Sequence, residues 1–325
     1  LLVNQSSVHS LAVANHYRHL RGVPDRNVVY LSLPDSVLEA EAEMSPGNFR
    51  KLIWEPAAEA MRARKLTEHV FIWAYSAGFP VRITSDPPVS LQGITFTRAE
   101  LPPPREIAMG QYISPLYSGP FEAGGPRRPT LSFAGMTDMP FDERPVPSMM
   151  LAFTGARGNT LDASIRRIQD GVGSDGTFPK GRFFFVTQDD VRSRARDWAF
   201  EETVSDLAQK GFDALLADDM PKQGKDISGL MIGQSQIRGF RQNQYLAGSM
   251  AEHLTSFAAV FHHHAQMKCT RWLEGGVSAT CGTVTEPMAI WMKFPHPRFF
   301  VHYTSGTHIV ESFFQSVLSP MQLLI

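Results

Sequence analysis

Residues 1–33 have the sequence LLVNQSSVHSLAVANHYRHLRGVPDRNVVYLSL, which predicts a strand, a helix and a second strand. Serines, which favour helix N-caps, precede an amphipathic stretch from Val8 to Arg21. Gly22 and Pro24 then end this helix, because glycine takes the left-handed conformation easily and proline lacks a backbone donor. Asn27 to Leu33 is rich in β-forming residues, so the chain is predicted to open with a β-α-β unit.

The same alternation continues downstream. Residues 45–65 form a second helical pattern with a bend expected at Pro56, and residues 69–75 form a third apolar strand. A β-α-β-α-β order is typical of a mostly parallel sheet that is covered by helices.

A proline-rich region divides the chain. Twelve of the 23 prolines lie between residues 85 and 147. A long stretch without regular structure is unusual inside a compact domain. We interpret it as an excursion that joins an N-terminal α/β subdomain (1–147) to a C-terminal one (148–325).

Strand and helix patterns alternate again after residue 148. We predict strands at 149–153, 183–186, 212–216, 229–233, 250–257 and 277–281, and helices at 161–170, 192–210, 259–273 and 307–318. The predicted fold class is α/β, with two Rossmann-like subdomains built on mostly parallel sheets.

The composition argues against several classes of protein. Thirty-one basic residues balance 32 acidic ones, and a net charge of −1 gives no field that attracts nucleic acid. No apolar run approaches the roughly 18 residues that a membrane-spanning helix needs. The phosphate-binding motif G-x-x-x-x-G-K-[ST] is missing, and no cofactor is implied.

The chain begins on Leu1 and stops in a strand-like run at 323–325, so we interpret it as a fragment in which a signal peptide would not be visible. Cys269 and Cys281 are its two cysteines. They exclude a disulfide-rich scaffold and, without a C-x-x-C motif, the common structural zinc sites. Whether they pair is left open.

Two further motifs have ordinary structural explanations. Residues 171–176 match G-x-G-x-x-G, but they follow a helix, whereas a dinucleotide-binding loop follows a strand. Residues 262–264 are three histidines, which on a helix point about 100° apart and cannot converge on one metal ion. We predict a helix-ending turn and a partly exposed helix surface, with no metal site.

Polar residues follow several predicted strands, at the sheet edge where such folds bind ligands. The candidates for catalysis are His253, Ser256, Cys281 and Glu286, and those for a ligand cleft are Gln234, Ser235, Thr255 and Thr283. A Cys or Ser nucleophile needs a base within hydrogen-bond reach, and His253 is the nearest by strand order. Two alternatives stay open: Cys281 as a small core residue, and His253 and Ser256 on opposite faces of a strand.

Nine motifs are distributed in order over nearly the whole chain. They are Leu2-Val-Asn-Gln-Ser-Ser, Ser10-Leu-Ala-Val-Ala-Asn-His-Tyr, Arg21-Gly-Val-Pro, Gly78-Phe-Pro-Val-Arg-Ile, His253-Leu-Thr-Ser-Phe, Trp272-Leu-Glu-Gly-Gly, Gly282-Thr-Val-Thr-Glu-Pro, Lys293-Phe-Pro-His-Pro and Glu311-Ser-Phe-Phe-Gln-Ser. Together they resemble an uncharacterised bacterial family that occurs in species with exosortase and PEP-CTERM protein sorting. In that family a Gly-Asp-Pro-Leu segment follows, which implies truncation before the last motif. The resemblance also implies an extracytoplasmic location and an unknown protein or peptide partner in the cell envelope.

The family is itself similar to gingipain-type cysteine peptidases, which have a caspase-like α/β fold. This similarity depends mainly on element order, with residues 150–155 and 311–325 resembling peptidase segments. By that order Gln234-Ser235 takes the place of the catalytic His-Gly pair, and Ser256 that of the catalytic Cys. A neutral amide accepts no proton at useful pH, so these residues cannot form the peptidase dyad.

Two functional hypotheses follow. In the first, the protein is a pseudopeptidase that binds or supports a component of the sorting system. In the second, it is a peptidase-like hydrolase with Cys281 or Ser256 as nucleophile, His253 as base and Glu286 orienting the base. The hydrolase requires a His253 nitrogen roughly 3–4 Å from a nucleophile in an open cleft. Side chains on opposite faces of the sheet would exclude it.

Overall fold

The computed structural model describes residues 1–35, 43–120, 131–178 and 180–325. The strands are β1 (Leu2–Asn4), β2 (Val29–Leu31), β3 (Glu43–Met44), β4 (Trp73–Tyr75), β5 (Arg82–Ile83), β6 (Val89–Ser90), β7 (Ser148–Met150), β8 (Arg182–Val186), β9 (Ala214–Ala217), β10 (Ile227–Ile232), β11 (Tyr245–His253), β12 (Gly282–Thr283) and β13 (Leu323–Leu324). The helices are α1 (Val8–Arg21), α2 (the consecutive segments Pro46–Phe49, Arg50–Trp54 and Glu55–Ala63), α3 (Leu91–Phe96), α4 (Pro104–Met109), α5 (Leu161–Gly173), α6 (Val191–Arg194), α7 (Phe200–Gln209), α8 (Thr270–Glu274), α9 (Phe299–Tyr303) and α10 (Ile309–Ser316).

Two parallel sheets organise the molecule. The first has the strand order β2-β1-β4-β7 and the second has the order β11-β10-β8-β9. Smaller sheets are formed by β3-β5-β6 and by the antiparallel pair β12-β13. The predicted α/β class with mostly parallel sheets is therefore confirmed.

The opening β-α-β unit forms as its sequence predicts. The Ser7 hydroxyl accepts a hydrogen bond from the Ser10 amide at 3.2 Å and caps α1. Gly22 ends the helix with a φ of 59°, a conformation that glycine takes without steric cost. β1 then pairs in parallel with β2, with Leu2 opposite Val29.

The proline-rich region carries regular structure in its described part. It contains β6, α3 and α4, and its residues 121–130 lie outside the described residues. Leu91 and Ile94 of α3 are buried in the core of the first sheet. Gly93 lies so close to Met321 that a Cβ at this position would be 2.2 Å from the Met321 carbonyl oxygen. This region thereby packs against the last turn before β13.

The stretch after β11 differs from its prediction. The strand ends at His253 instead of residue 257, and the helix predicted at 259–273 is wrong except for α8. Side chains hold the intervening loop: Gln266 Oε1 accepts from the Phe257 amide at 2.9 Å, and Lys268 Nζ donates to the Phe257 carbonyl at 2.7 Å. These bonds join the end of the loop to its start and give the backbone of Phe257 partners outside a helix or strand.

The strand predicted at 277–281 is likewise shorter. It consists of a single parallel bridge between Met250 and Ala279, followed by β12. The helix predicted at 192–210 is split into α6 and α7, with Arg196 in the connection.

Candidate functional site

Side chains of β11 alternate between the two faces of the second sheet. Met250 packs with Cys281 in one core cluster, whereas Ala251 packs with Trp272 in another. His253 follows Ala251 by two residues and contacts the same Trp272. His253 and Cys281 therefore lie on opposite faces of the sheet, which separates the predicted base from one predicted nucleophile.

Both ring nitrogens of His253 are already bonded. Nδ1 accepts from Trp272 Nε1 at 2.9 Å, and Nε2 donates to the Met267 carbonyl at 3.0 Å. The residue is 1% exposed, and burial lowers the pKa of His253 to about 4. A neutral imidazole without a free lone pair cannot act as the predicted general base.

Cys281 is a core residue. It is 1% exposed and packs in a cluster with Phe299, Phe313 and Leu323. Burial, and next the charge of Glu252, raise the pKa of the Cys281 thiol well above its usual value. Since the thiolate is the nucleophilic form, this environment opposes reactivity. Cys269 and Cys281 are both free thiols.

Ser256 and Glu286 are the two catalytic candidates that the structure brings together. Ser256 Oγ donates to Glu286 Oε1 at 3.0 Å near the surface, and the same oxygen accepts from the Met288 amide at 2.9 Å. His253 takes no part in this contact, so a serine-histidine-carboxylate relay is not assembled.

The predicted cleft residues mainly hold the loop after β11. Thr255 Oγ1 donates to Gln266 Oε1 at 2.7 Å, and Thr283 Oγ1 donates to the Ser256 carbonyl at 2.9 Å. Both threonines are buried, whereas Gln234 and Ser235 are half-buried after β10. None of these four residues is among those that line the cavity of about 750 Å³ described below.

A buried ion pair connects the carboxyl ends of β10 and β11 to the α6–α7 connection. Arg196 Nη2 lies 2.6 Å from Glu252 Oε2, with side chains 2% and 1% exposed. Arg196 Nη1 also donates to the Pro295 carbonyl at 2.9 Å. Sequence reasoning missed this pair because its two members are distant in the chain.

A cavity with a volume of about 750 Å³ lies elsewhere, between the two parallel sheets. Its walls combine β7 and the residues after it, α5, the segment beside β11 and the start of α10. Its lining residues include Met150, Ala152, Gly171, Thr280 and Ile325. It reaches the surface near Phe178, which is 63% exposed.

The charged side chains of the cavity wall are paired. Arg21 forms an ion pair with Asp175, and Arg167 forms one with Asp170 at 2.8 Å. The Thr280 hydroxyl oxygen on the same wall is buried and makes no hydrogen bond within the described residues. Charges that are already compensated favour an uncharged ligand.

The G-x-G-x-x-G motif at residues 171–176 lies at the end of α5. α5 ends at Gly173, so the predicted helix-ending turn is confirmed for residues 171–176. Gly171 nevertheless lies on the cavity wall, and a Cβ there would meet no atom within 4 Å. A glycine on the inward face of an amphipathic helix was the available sign of this cavity.

The histidines at 262–264 lie in the loop after β11, so the predicted helix surface is wrong. His263 Nδ1 accepts from the Ala265 amide at 3.2 Å, and His264 contacts Arg157. No group of three His, Cys, Asp or Glu residues is placed to hold a metal ion in the described ranges.

Comparison of the chain with protein-family models, curated proteins and solved structures finds no match. Within the part of the chain that the structure describes, no helix combines the length and apolar character needed to cross a membrane.

Proposed function

We propose that this protein binds an uncharged, largely apolar ligand in the cavity between its two sheets and does not hydrolyse it. The observation that carries the proposal is the cavity of about 750 Å³, whose walls come from both sheets and whose charges are paired. Sites for small molecules are usually clefts or cavities of ~300–1,000 Å³ with mostly apolar walls.

The arrangement at the strand ends supports the non-hydrolytic part of the proposal. His253 has no free nitrogen, and Cys281 is a buried thiol on the other face of the sheet. The family resemblance adds a caspase-like classification, an extracytoplasmic location and a role as a binding component linked to exosortase and PEP-CTERM sorting. These points belong to the proposal.

Labelling with activity probes tests the absence of hydrolytic chemistry. We expect no labelling of Cys281 in the folded protein by the cysteine-directed reagent iodoacetamide, because burial keeps this thiol protonated and inaccessible. Denaturation should expose both thiols and is the positive control. Rapid labelling of Cys281 in the native protein would contradict the assignment.

A hydrolase is the second candidate, favoured by the contact between Ser256 and Glu286. A serine-directed fluorophosphonate distinguishes the two functions, since it reacts only with an activated hydroxyl. We expect no adduct; an adduct that is lost in Ser256→Ala would establish the hydrolase instead.

A matched pair of glycine variants tests the cavity as the binding site. Gly171→Trp places a large side chain into the cavity, whereas Gly173 on the same helix has equally open surroundings but does not line it. We expect Gly171→Trp to weaken binding of the neutral fluorophore Nile red at least tenfold, and Gly173→Trp to leave it unchanged. Equal binding by both variants would place the dye outside the cavity. Thermal unfolding of both variants checks that each is folded.

A further inference from the structure

The strand β9 forms an outer edge of the second parallel sheet. In the order β11-β10-β8-β9 it pairs with β8 alone among the strands that the structure describes. The Phe183 amide of β8 donates to the Asp213 carbonyl at 2.9 Å, so the other end of that peptide unit, the Ala214 amide, points away from β8. Since every second residue of a parallel strand bonds the same neighbour, the backbone groups of Ala214 and Leu216 face the outer edge.

Two leucines of this edge strand are exposed. Leu215 is 39% exposed and Leu216 is 45% exposed, and adjacent residues of a strand point to opposite faces of the sheet. On the neighbouring strand β8, Phe183 and Phe185 are buried. β9 therefore presents apolar side chains to solvent on both faces, beside the backbone groups of its outer edge. An edge with these two properties is a template for pairing with another chain.

Aspartates flank β9 at both ends. Asp213 precedes the strand, Asp218 and Asp219 follow it, and all three are exposed. None of them forms an ion pair within the part of the chain that the structure describes. The hydrogen bonds to their carboxylates come from neutral donors, the Thr187 hydroxyl at 3.4 Å from Asp218 and the Met220 amide at 2.9 Å from Asp219. Three uncompensated negative charges favour a basic partner.

We propose that β9 binds an extended segment of another polypeptide in which lysine or arginine residues flank a short apolar stretch. The segment adds a strand to the second sheet by β-augmentation: its backbone bonds the outer edge of β9, and its basic side chains pair with the flanking aspartates. A second copy of this chain fits less well, because two antiparallel β9 strands would bring their own aspartates together. No residue of β9 lines the cavity of about 750 Å³, so this surface is separate from the proposed ligand site.

Fluorescent peptides test this docking surface. The probe is an amidated pentapeptide with the sequence lysine-valine-threonine-valine-lysine and a neutral fluorophore at its N-terminus, and its control has glutamate in place of both lysines. We expect saturable binding of the probe in fluorescence anisotropy and at least tenfold weaker binding of the control, because its charges repel the aspartates. Two forms of the probe, N-methylated on alternate sets of amides, should differ in affinity, since only one edge of the peptide pairs with β9. Equal binding of these two forms overturns the strand addition.

Charge variants of the protein locate the site. We expect Asp213→Asn combined with Asp218→Asn to weaken binding of the probe at least fivefold. The control combines Asp138→Asn with Asp162→Asn, which makes the same change in net charge at exposed positions elsewhere, and should leave binding unchanged. Equal affinities of the two double variants overturn the proposal. Self-association of the protein that blocks the probe and is lost in Leu216→Gln would replace the peptide by a second copy and also overturn it.

Discussion

Replacing Arg196 with methionine is expected to lower the free energy of unfolding by about 3–5 kcal/mol, because it leaves the carboxylate of Glu252 buried without its partner. Both side chains are almost fully buried and lie 2.6 Å apart. Arg196 also bonds the Pro295 carbonyl, so the variant loses a second buried contact. Chemical denaturation with a two-state fit measures the effect.

Two variants control this prediction. Arg192→Met removes a partly exposed ion pair with Asp190, whose atoms lie 3.0 Å apart. We expect this variant to lower the free energy of unfolding by less than about 1 kcal/mol. The double variant Arg196→Met with Glu252→Leu should recover most of the loss, because no unpaired charge remains buried. A loss in Arg196→Met no greater than in Arg192→Met would contradict a buried ion pair.

Acidification is expected to destabilise the protein through His253. Its pKa falls from 6.5 to about 4 on folding, so the unfolded chain takes up the proton first as the pH decreases. Stability due to neutral His253 is therefore present above pH 6.5 and is lost as the pH falls from 6.5 through 4. Each pKa unit corresponds to ~1.4 kcal/mol, so the complete loss in the free energy of unfolding is about 3 kcal/mol.

The free energy of unfolding measured between pH 7 and pH 4 checks this effect. His253→Gln keeps a side chain able to donate and accept hydrogen bonds but removes the titration. Its free energy of unfolding should therefore decrease by about 3 kcal/mol less between pH 7 and pH 4 than that of the unmodified protein. Identical pH dependence in both proteins would show that the imidazole titrates normally and is accessible.

Local patterns predicted the first unit of the fold well. The N-cap at Ser7 and the left-handed Gly22 define α1 through contacts within a few residues, and these can be inferred from sequence. The loop at 259–269 could not be inferred in the same way. The side chains of Gln266 and Lys268 bond the backbone of Phe257, just before this loop, and a helical periodicity count does not contain such contacts.

The candidate site shows a similar division. Strand alternation already allowed opposite faces within β11, but the positions of His253 and Cys281 depend on how Ala279 pairs with Met250. The cavity required even more distant information, since Met150, Gly171 and Thr280 come from separate elements. Gly171 is the one of these three residues whose type indicates the cavity, because a glycine there leaves open space at the position of a Cβ.

Photo-crosslinking with an uncharged, apolar diazirine probe tests most directly that a ligand occupies the cavity between the sheets. After irradiation, proteolysis and mass spectrometry locate the labelled residues. We expect labels on residues 149–153 and 278–280, and their loss in Gly171→Trp but not in Gly173→Trp. Labels confined to the loop that carries Ser256 or to the histidines at 262–264, and unchanged in Gly171→Trp, would contradict the account.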